Sequence, residues 1–152
     1  MSHYCSIKVE WNDPEAIIDM LAEFFGIARS DVLFDLAGLP VHNFGGEDIT
    51  KPNNTTERVA PCHIVVPRKY VKGIVGHGAI GDVAVRRKPD GTWETEIDWY
   101  SWHKPQEQVI GEMGQLYGVA RTRRLAQAAG YKVKNITRGQ DGKVRLVLGK
   151  GR

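Results

Sequence analysis

Residues 76–99, GHGAIGDVAVRRKPDGTWETEIDW, decide how this chain of 152 residues is read. The first six letters spell G-x-G-x-x-G, the fingerprint of a dinucleotide-binding turn. That motif works only where a strand precedes the glycines and a helix follows them, so that the pyrophosphate meets helix N–H groups. Here hairpin sequence follows instead. Pro89, Asp90 and Gly91 suit a three-residue loop, with proline and aspartate in a type I turn and glycine in the left-handed position of a bulge. Such a loop pairs Arg86 with Glu94 and Val83 with Ile97. One face then carries Val83, Val85, Arg87, Trp93, Thr95, Ile97 and Trp99; the other carries Asp82, Ala84, Arg86, Glu94, Glu96 and Asp98. A mostly apolar face opposite a charge-paired face specifies the register. No helix fits after Gly81, so no dinucleotide cofactor is expected, and the glycines read as a tight connection into the hairpin.

Working outward, HYCSIKVEW alternates as a strand, with Tyr4, Ser6 and Lys8 on one face and Cys5, Ile7, Val9 and Trp11 on the other. A helix follows, capped by Asp13, opened by Pro14 and ended by Gly26, with Ile17, Leu21 and Phe24 along its apolar stripe. RSDVLFDLAG reads as a short second helix. The stretch LPVHNFGGEDITKPNNTTERVAP is rich in Gly, Pro, Asn and Thr, so residues 27–78 read as an irregular excursion, a length that usually signals function or disorder. CHIVVPRKYV is a strand that ends at Pro67.

After the hairpin, a long helix starts near Pro105 and stops at Gly130, with Val109, Met113, Leu116, Tyr117 and Ala120 facing the core. Arg124 falls near the centre of that face beside Arg121 and Arg123, and the sequence leaves open whether it is inside or outside. Gly111, Gly114 and Gly118 form a second stripe almost without side chains. Each costs roughly 1 kcal/mol against alanine, so the stripe reads either as a close-approach interface or as a kink near Gly118. Gln140, Asp141 and Gly142 then repeat the turn chemistry of a hairpin, with Val144, Leu146 and Leu148 alternating. The expectation is one α+β domain over residues 1–152: a single mainly antiparallel sheet with two hairpins and helices packed on one face.

Composition agrees with a globular protein, at 41% hydrophobic and 26% charged residues. Cys5 and Cys62 are too few for a secreted scaffold and read as free thiols. The amino terminus lacks a basic n-region and an apolar h-region, and no apolar run approaches the ~20 residues of a membrane span. A cytoplasmic protein without membrane contact is expected. The net charge is +3, but its distribution is uneven. Acids dominate the first 60 residues, whereas after Met113 the one acid, Asp141, faces Arg121, Arg123, Arg124, Lys132, Lys134 and further cations. Such a half can meet phosphates or an acidic protein, or can simply be a solvated surface.

The segments MSHYCSIKVEW, IGDVAVRRKPDGTWETEIDWY and QLYGVARTRRLAQAAGYKV leading into DGKVRLVL resemble the chloroplast hypothetical open reading frame 35 family, which also occurs in cyanobacteria, other bacteria and phages. The resemblance covers residues 1–26 and roughly 79–149. It implies a compact domain and brings no activity or functional residues, because the family has none established.

Candidate chemistry is sparse. His3, Cys5, Cys62, His63, His77 and His103 show no zinc-ligand spacing, so no metal is expected. Cys62 lacks a recognisable base and oxyanion loop, and the acids of the hairpin face a basic strand, so no catalytic residues are assigned. Trp93 and Trp99 read as core. Trp102, at the junction with the long helix, is the candidate for stacking on a base. The reading that results is a non-enzymatic binding module. It takes nucleic acid or another phosphate-rich ligand through Arg121, Arg123, Arg124, Lys132, Lys134 and Trp102. The alternative is a protein-interaction or assembly subunit, including a homo-oligomer, joined through Gly111, Gly114 and Gly118 and the excursion. A small-molecule enzyme is the least favoured reading.

Overall fold

The structure, a computed structural model, describes residues 3–52, 57–139 and 144–150. In chain order the elements are β1 (Tyr4–Val9), α1 (Pro14–Phe25), β2 (Leu33–Leu39), β3 (Cys62–Val66), α2 (Arg68–Val75), β4 (Val83–Arg87), β5 (Trp93–Asp98), α3 (Gln106–Ala128), β6 (Tyr131–Arg138) and β7 (Val144–Lys150). The first five strands form one antiparallel sheet in the order β1-β5-β4-β3-β2. The fold is α+β, and Arg86 pairs with Glu94 as the loop chemistry of Pro89–Gly91 requires.

Three details differ from expectation. The second hairpin does not join the main sheet: β6 and β7 pair as a separate two-stranded ribbon. Its turn residues, Gln140 to Gly142, lie outside the described residues. The cause is the length of α3, whose 23 residues span roughly 35 Å at 1.5 Å per residue. The core takes α3 side chains only as far as Ala120, and past it the helix carries the ribbon onward. Second, RSDVLFDLAG is not a helix. One 3-10 turn at Arg29–Asp31 precedes β2, where Leu33 and Phe34 pair with Val65 and Ile64. Pairing with a buried strand outweighs weak local preference. Third, the 27–78 excursion is partly regular, since besides the expected strand β3 it supplies β2 and α2.

The local signals around α1 hold. Asp13 accepts from the backbone N–H groups of Glu15 and Ala16, and Gly26 closes the helix. Ile17, Met20 and Leu21 are fully buried against Ile64, Val66, Val83, Val85 and Ile97 of the sheet and Met113 of α3. Tyr117 reaches across from α3, where its hydroxyl accepts from Asn12 N and Asp13 N, both at 3.0 Å. It also donates to Asn12 Oδ1, so α3 holds the start of α1 by hydrogen bonds as well as by packing.

The other sheet face is covered too. Residues 39–52 and 57–61 pack on β3 and β4, burying Val41, Ile49, Cys62, Val65 and Ala84 with Tyr4, Leu39 and Val59. Glu94, Glu96 and Asp98 also lie in the interior. Arg86 Nη2 meets Glu94 Oε1 at 2.5 Å, and the Ser6 hydroxyl donates to Glu96. Burial, with Glu94 adding to it, raises the Glu96 carboxyl above its ordinary 4.5. A carboxyl raised in the folded state favours folding while protonated, and that contribution is lost as pH rises through the folded value. Glu96→Gln keeps an acceptor for Ser6 and removes the charge. At pH 7 it is expected to raise Tm by a few degrees, and the advantage is expected to shrink as pH falls toward 4.5. Thermal unfolding monitored by circular dichroism at several pH values checks this; an unchanged or lower Tm at pH 7 refutes it.

The glycines of GHGAIG have steric reasons. A Cβ on Gly78 would sit within 3.0 Å of the Ser101 side chain, whose hydroxyl donates to Ala79 O. A Cβ on Gly81 would come as close to the Tyr4 hydroxyl. The motif is a junction where backbone and side chains approach closely, and it runs straight into β4.

Candidate nucleic-acid interface

The proposed contact residues fall into three places. Arg121 and Arg124 turn toward α1. Arg121 Nη1 and Arg124 Nε each lie 3.6 Å from Asp13 Oδ2, and Arg124 Nη1 lies 4.0 Å from Asp19 Oδ2. These pairs, partly exposed and each worth ~1 kcal/mol or less, join the two helices along their acidic and basic flanks. The position of Arg124 is thereby settled: it lies beside the core, over the α1 acids.

Trp102 packs on Trp99, Phe24 and Phe25 with ring centroids 5.2, 6.4 and 6.4 Å away. The aromatic cluster accounts for Trp102 without a ligand. At the same junction it is Tyr100 that stands out, 65% exposed.

Arg123, Lys132 and Lys134 do converge. With Gln127, Val133, Asn135 and Ile136 they line a groove of about 620 Å³ between the end of α3 and β6. Among the described residues no carboxylate pairs with any of these three cations. A break in the β6–β7 register between Val133 and Asn135 places Lys134 at an irregularity, and its aliphatic stem crosses Gly149, where a Cβ would collide with it. Arg145 and Lys150 add charge along the ribbon. The ribbon also exposes Tyr131, Ile136, Val147 and Leu148, with Leu125 near the end of α3.

Among the described residues nothing packs closely on the glycine stripe. A Cβ on Gly111 or Gly118 would meet nothing within 4 Å, and one on Gly114 would touch only Trp11 at 3.7 Å, an ordinary contact. The helix runs unbroken through all three, so neither a close approach within the chain nor a break explains them.

Sequence reasoning passed over a second cluster, built around His42. The Asp82 carboxylate accepts from His42 N and Arg68 N, both at 2.8 Å, and lies 3.2 Å from His42 Nδ1. Tyr4 donates to Asp82 O at 2.7 Å, with His42 O at 3.1 Å. Burial pushes the Tyr4 phenol far above its ordinary range, with Asp82 contributing. His42 carried no signal because it sits in a Gly- and Pro-rich stretch without periodicity, separated by 40 residues from its partner.

Other chemistry is disfavoured by environment. Burial, then the nearby Glu96, pushes the Cys62 thiol up to about 12, which leaves it protonated and a poor nucleophile at neutral pH. Burial, with Arg86 and Arg87, lowers the His63 imidazole, and its Nδ1 accepts from Arg87 N at 2.8 Å. Among the described residues no three His, Cys, Asp or Glu side chains are arranged to hold a metal ion. No helix among them is long and apolar enough to cross a membrane. Compared with family models, curated proteins and solved structures, the chain gives no match.

Proposed function

We propose that the protein binds nucleic acid through the limb formed by the end of α3 and the β6–β7 ribbon. The observation that carries this reading is the groove where Arg123, Lys132 and Lys134 meet without acidic partners among the described residues. A two-stranded ribbon is of a size the DNA major groove admits, and cations held on it would displace counterions from phosphates. The described ribbon side chains are exposed or half-buried, so a binding role would not compete with the core. Arg121 and Arg124 take no direct part in this arrangement, since they serve α1.

Fluorescence anisotropy with labelled single- and double-stranded oligonucleotides tests the reading. Wild type is expected to bind at low salt and to weaken steeply toward physiological salt. Arg123→Ala/Lys132→Ala/Lys134→Ala is expected to reduce the slope of log K against log salt by about 2–3, close to one for each lost phosphate contact. Absence of binding at low salt refutes the proposal, as does an unchanged slope.

The exposed apolar side chains Leu125, Tyr131, Ile136, Val147 and Leu148 favour a second reading, self-assembly through the same limb. A mass that rises with concentration and resists salt would select it.

A further inference from the structure

The cluster around His42 points to a second, independent binding site. Pro67, Arg68, Lys69 and Lys72 from the start of α2, together with His42, Gly46 and Asp82, line a cleft of about 390 Å³. Three side-chain cations face one carboxylate there, and that carboxylate is already committed. Asp82 is 4% exposed, and its oxygens hold His42 N, Arg68 N and the Nδ1 side of the His42 ring. Asp82 therefore fixes the ring and leaves Nε2 as the nitrogen available to a ligand. Arg68 is oriented as well: its Nη1 donates to Phe44 O at 2.8 Å. The guanidinium lies against Gly46, where a Cβ would come within 3.1 Å of Nη2. Lys69 and Lys72 make no ion pair with any described residue. The amino end of α2 is itself held by Asp82, which accepts from Arg68 N, so the positive charge of the cleft comes from the Arg68, Lys69 and Lys72 side chains.

We propose that this cleft binds the phosphate group of a small phosphomonoester of sugar-phosphate size. The phosphate oxygens take hydrogen bonds from Arg68 and charge from Lys69 and Lys72. His42 Nε2 donates to them when the ring is protonated, or accepts from a phosphate hydroxyl when it is neutral. Arg68 and His42 are held by groups outside the ligand, so little side-chain order is lost on binding. The volume lies within the range of small-ligand clefts and exceeds what a bare anion fills, which favours an ester over free phosphate.

Titration of the wild-type protein with ribose 5-phosphate and, separately, inorganic phosphate tests the site by heteronuclear NMR of the His42 ring and by calorimetry. The ester is expected to shift the His42 resonances with a Kd at or below ~1 mM. Lys69→Gln/Lys72→Gln, which alters two exposed side chains, is expected to bind about tenfold more weakly with unchanged Tm. His42→Gln is expected to weaken binding in the same direction. No shift at His42 by ~10 mM ester, or equal affinity in the lysine variant, overturns the proposal. Inorganic phosphate binding as tightly as the ester overturns the ester assignment. The ribbon variant used for oligonucleotide binding leaves this cleft intact, so failure of either proposal is read separately.

Discussion

Gly81→Ala is expected to destabilise the protein by about 3 kcal/mol, at the upper end of overpacking costs. For a chain of this size that is a drop in Tm of roughly 10 °C. The new Cβ would press on the Tyr4 hydroxyl and ring and would stand 3.1 Å from His42 O. The hydroxyl cannot swing away without cost, because it donates into the junction of Asp82 O and His42 O, and Tyr4 itself lies paired to Asp98. Moving it breaks a buried hydrogen bond and uncovers backbone acceptors. Of the crowded atoms only the Tyr4 hydroxyl oxygen comes within 3.0 Å, so a cycle isolates the main collision. Tyr4→Phe removes that oxygen, and Gly81→Ala is expected to cost clearly less in the Tyr4→Phe background than in wild type. Equal costs in the two backgrounds, measured by urea unfolding, would show that the glycine acts in some other way.

Asp82→Ala is expected to cost more, about 4 kcal/mol. It strands the backbone donors of His42 and Arg68, and each unsatisfied buried donor costs ~1–3 kcal/mol. It also frees the His42 ring, which Asp82 Oδ2 otherwise approaches at 3.2 Å. Asp82→Asn is the sharper comparison. The amide oxygen can still accept from Arg68 N, but the amide nitrogen then meets the His42 N–H as donor against donor. Its cost is expected to fall between wild type and alanine, at roughly 2 kcal/mol. Equilibrium unfolding would give the order Ala, Asn, wild type from least to most stable. If Asn and Ala are equally destabilising, the carboxylate is not acting through these two bonds.

Both substitutions act on a junction that joins residues 4, 42, 68 and 82, and none of that was visible in the sequence. The local signals that were visible are those that neighbours within a few positions decide. Asp13, Pro14 and Gly26 bound α1 because capping and φ preference act over one turn of helix. The Pro89–Gly91 loop placed Arg86 opposite Glu94 because a three-residue loop admits few registers. The same loop chemistry showed that GHGAIG leads into a strand, and the segment runs into β4 without the helix amino end that a dinucleotide turn uses.

What the sequence did not show depends on partners distant in sequence. RSDVLFDLAG lacks strong periodicity, and its strand forms only because β3 offers an edge. Glu94, Glu96 and Asp98 read as a charge-paired face, yet all three are buried, on the sheet face where Cys62 and Ala84 belong to a second core. Arg121 and Arg124 were singled out as ligand contacts from charge alone, and the pairs they make with Asp13 and Asp19 depend on how α1 packs on α3. Trp102 looked available, and Phe24, Phe25 and Trp99 surround it. Of the proposed contact residues Arg123, Lys132 and Lys134 were brought together, because they flank one helix-to-strand turn and proximity in sequence becomes proximity in space.

By itself, then, the sequence determined the α+β class, the limits of α1 and α3 and the register of the first hairpin, all of which rest on short-range backbone chemistry. Tertiary structure alone decided which charges stay free, which face of the sheet is buried, and that His42 meets Asp82. Burial and ion pairing depend on which distant segments fold back, and single-residue patterns carry no record of that.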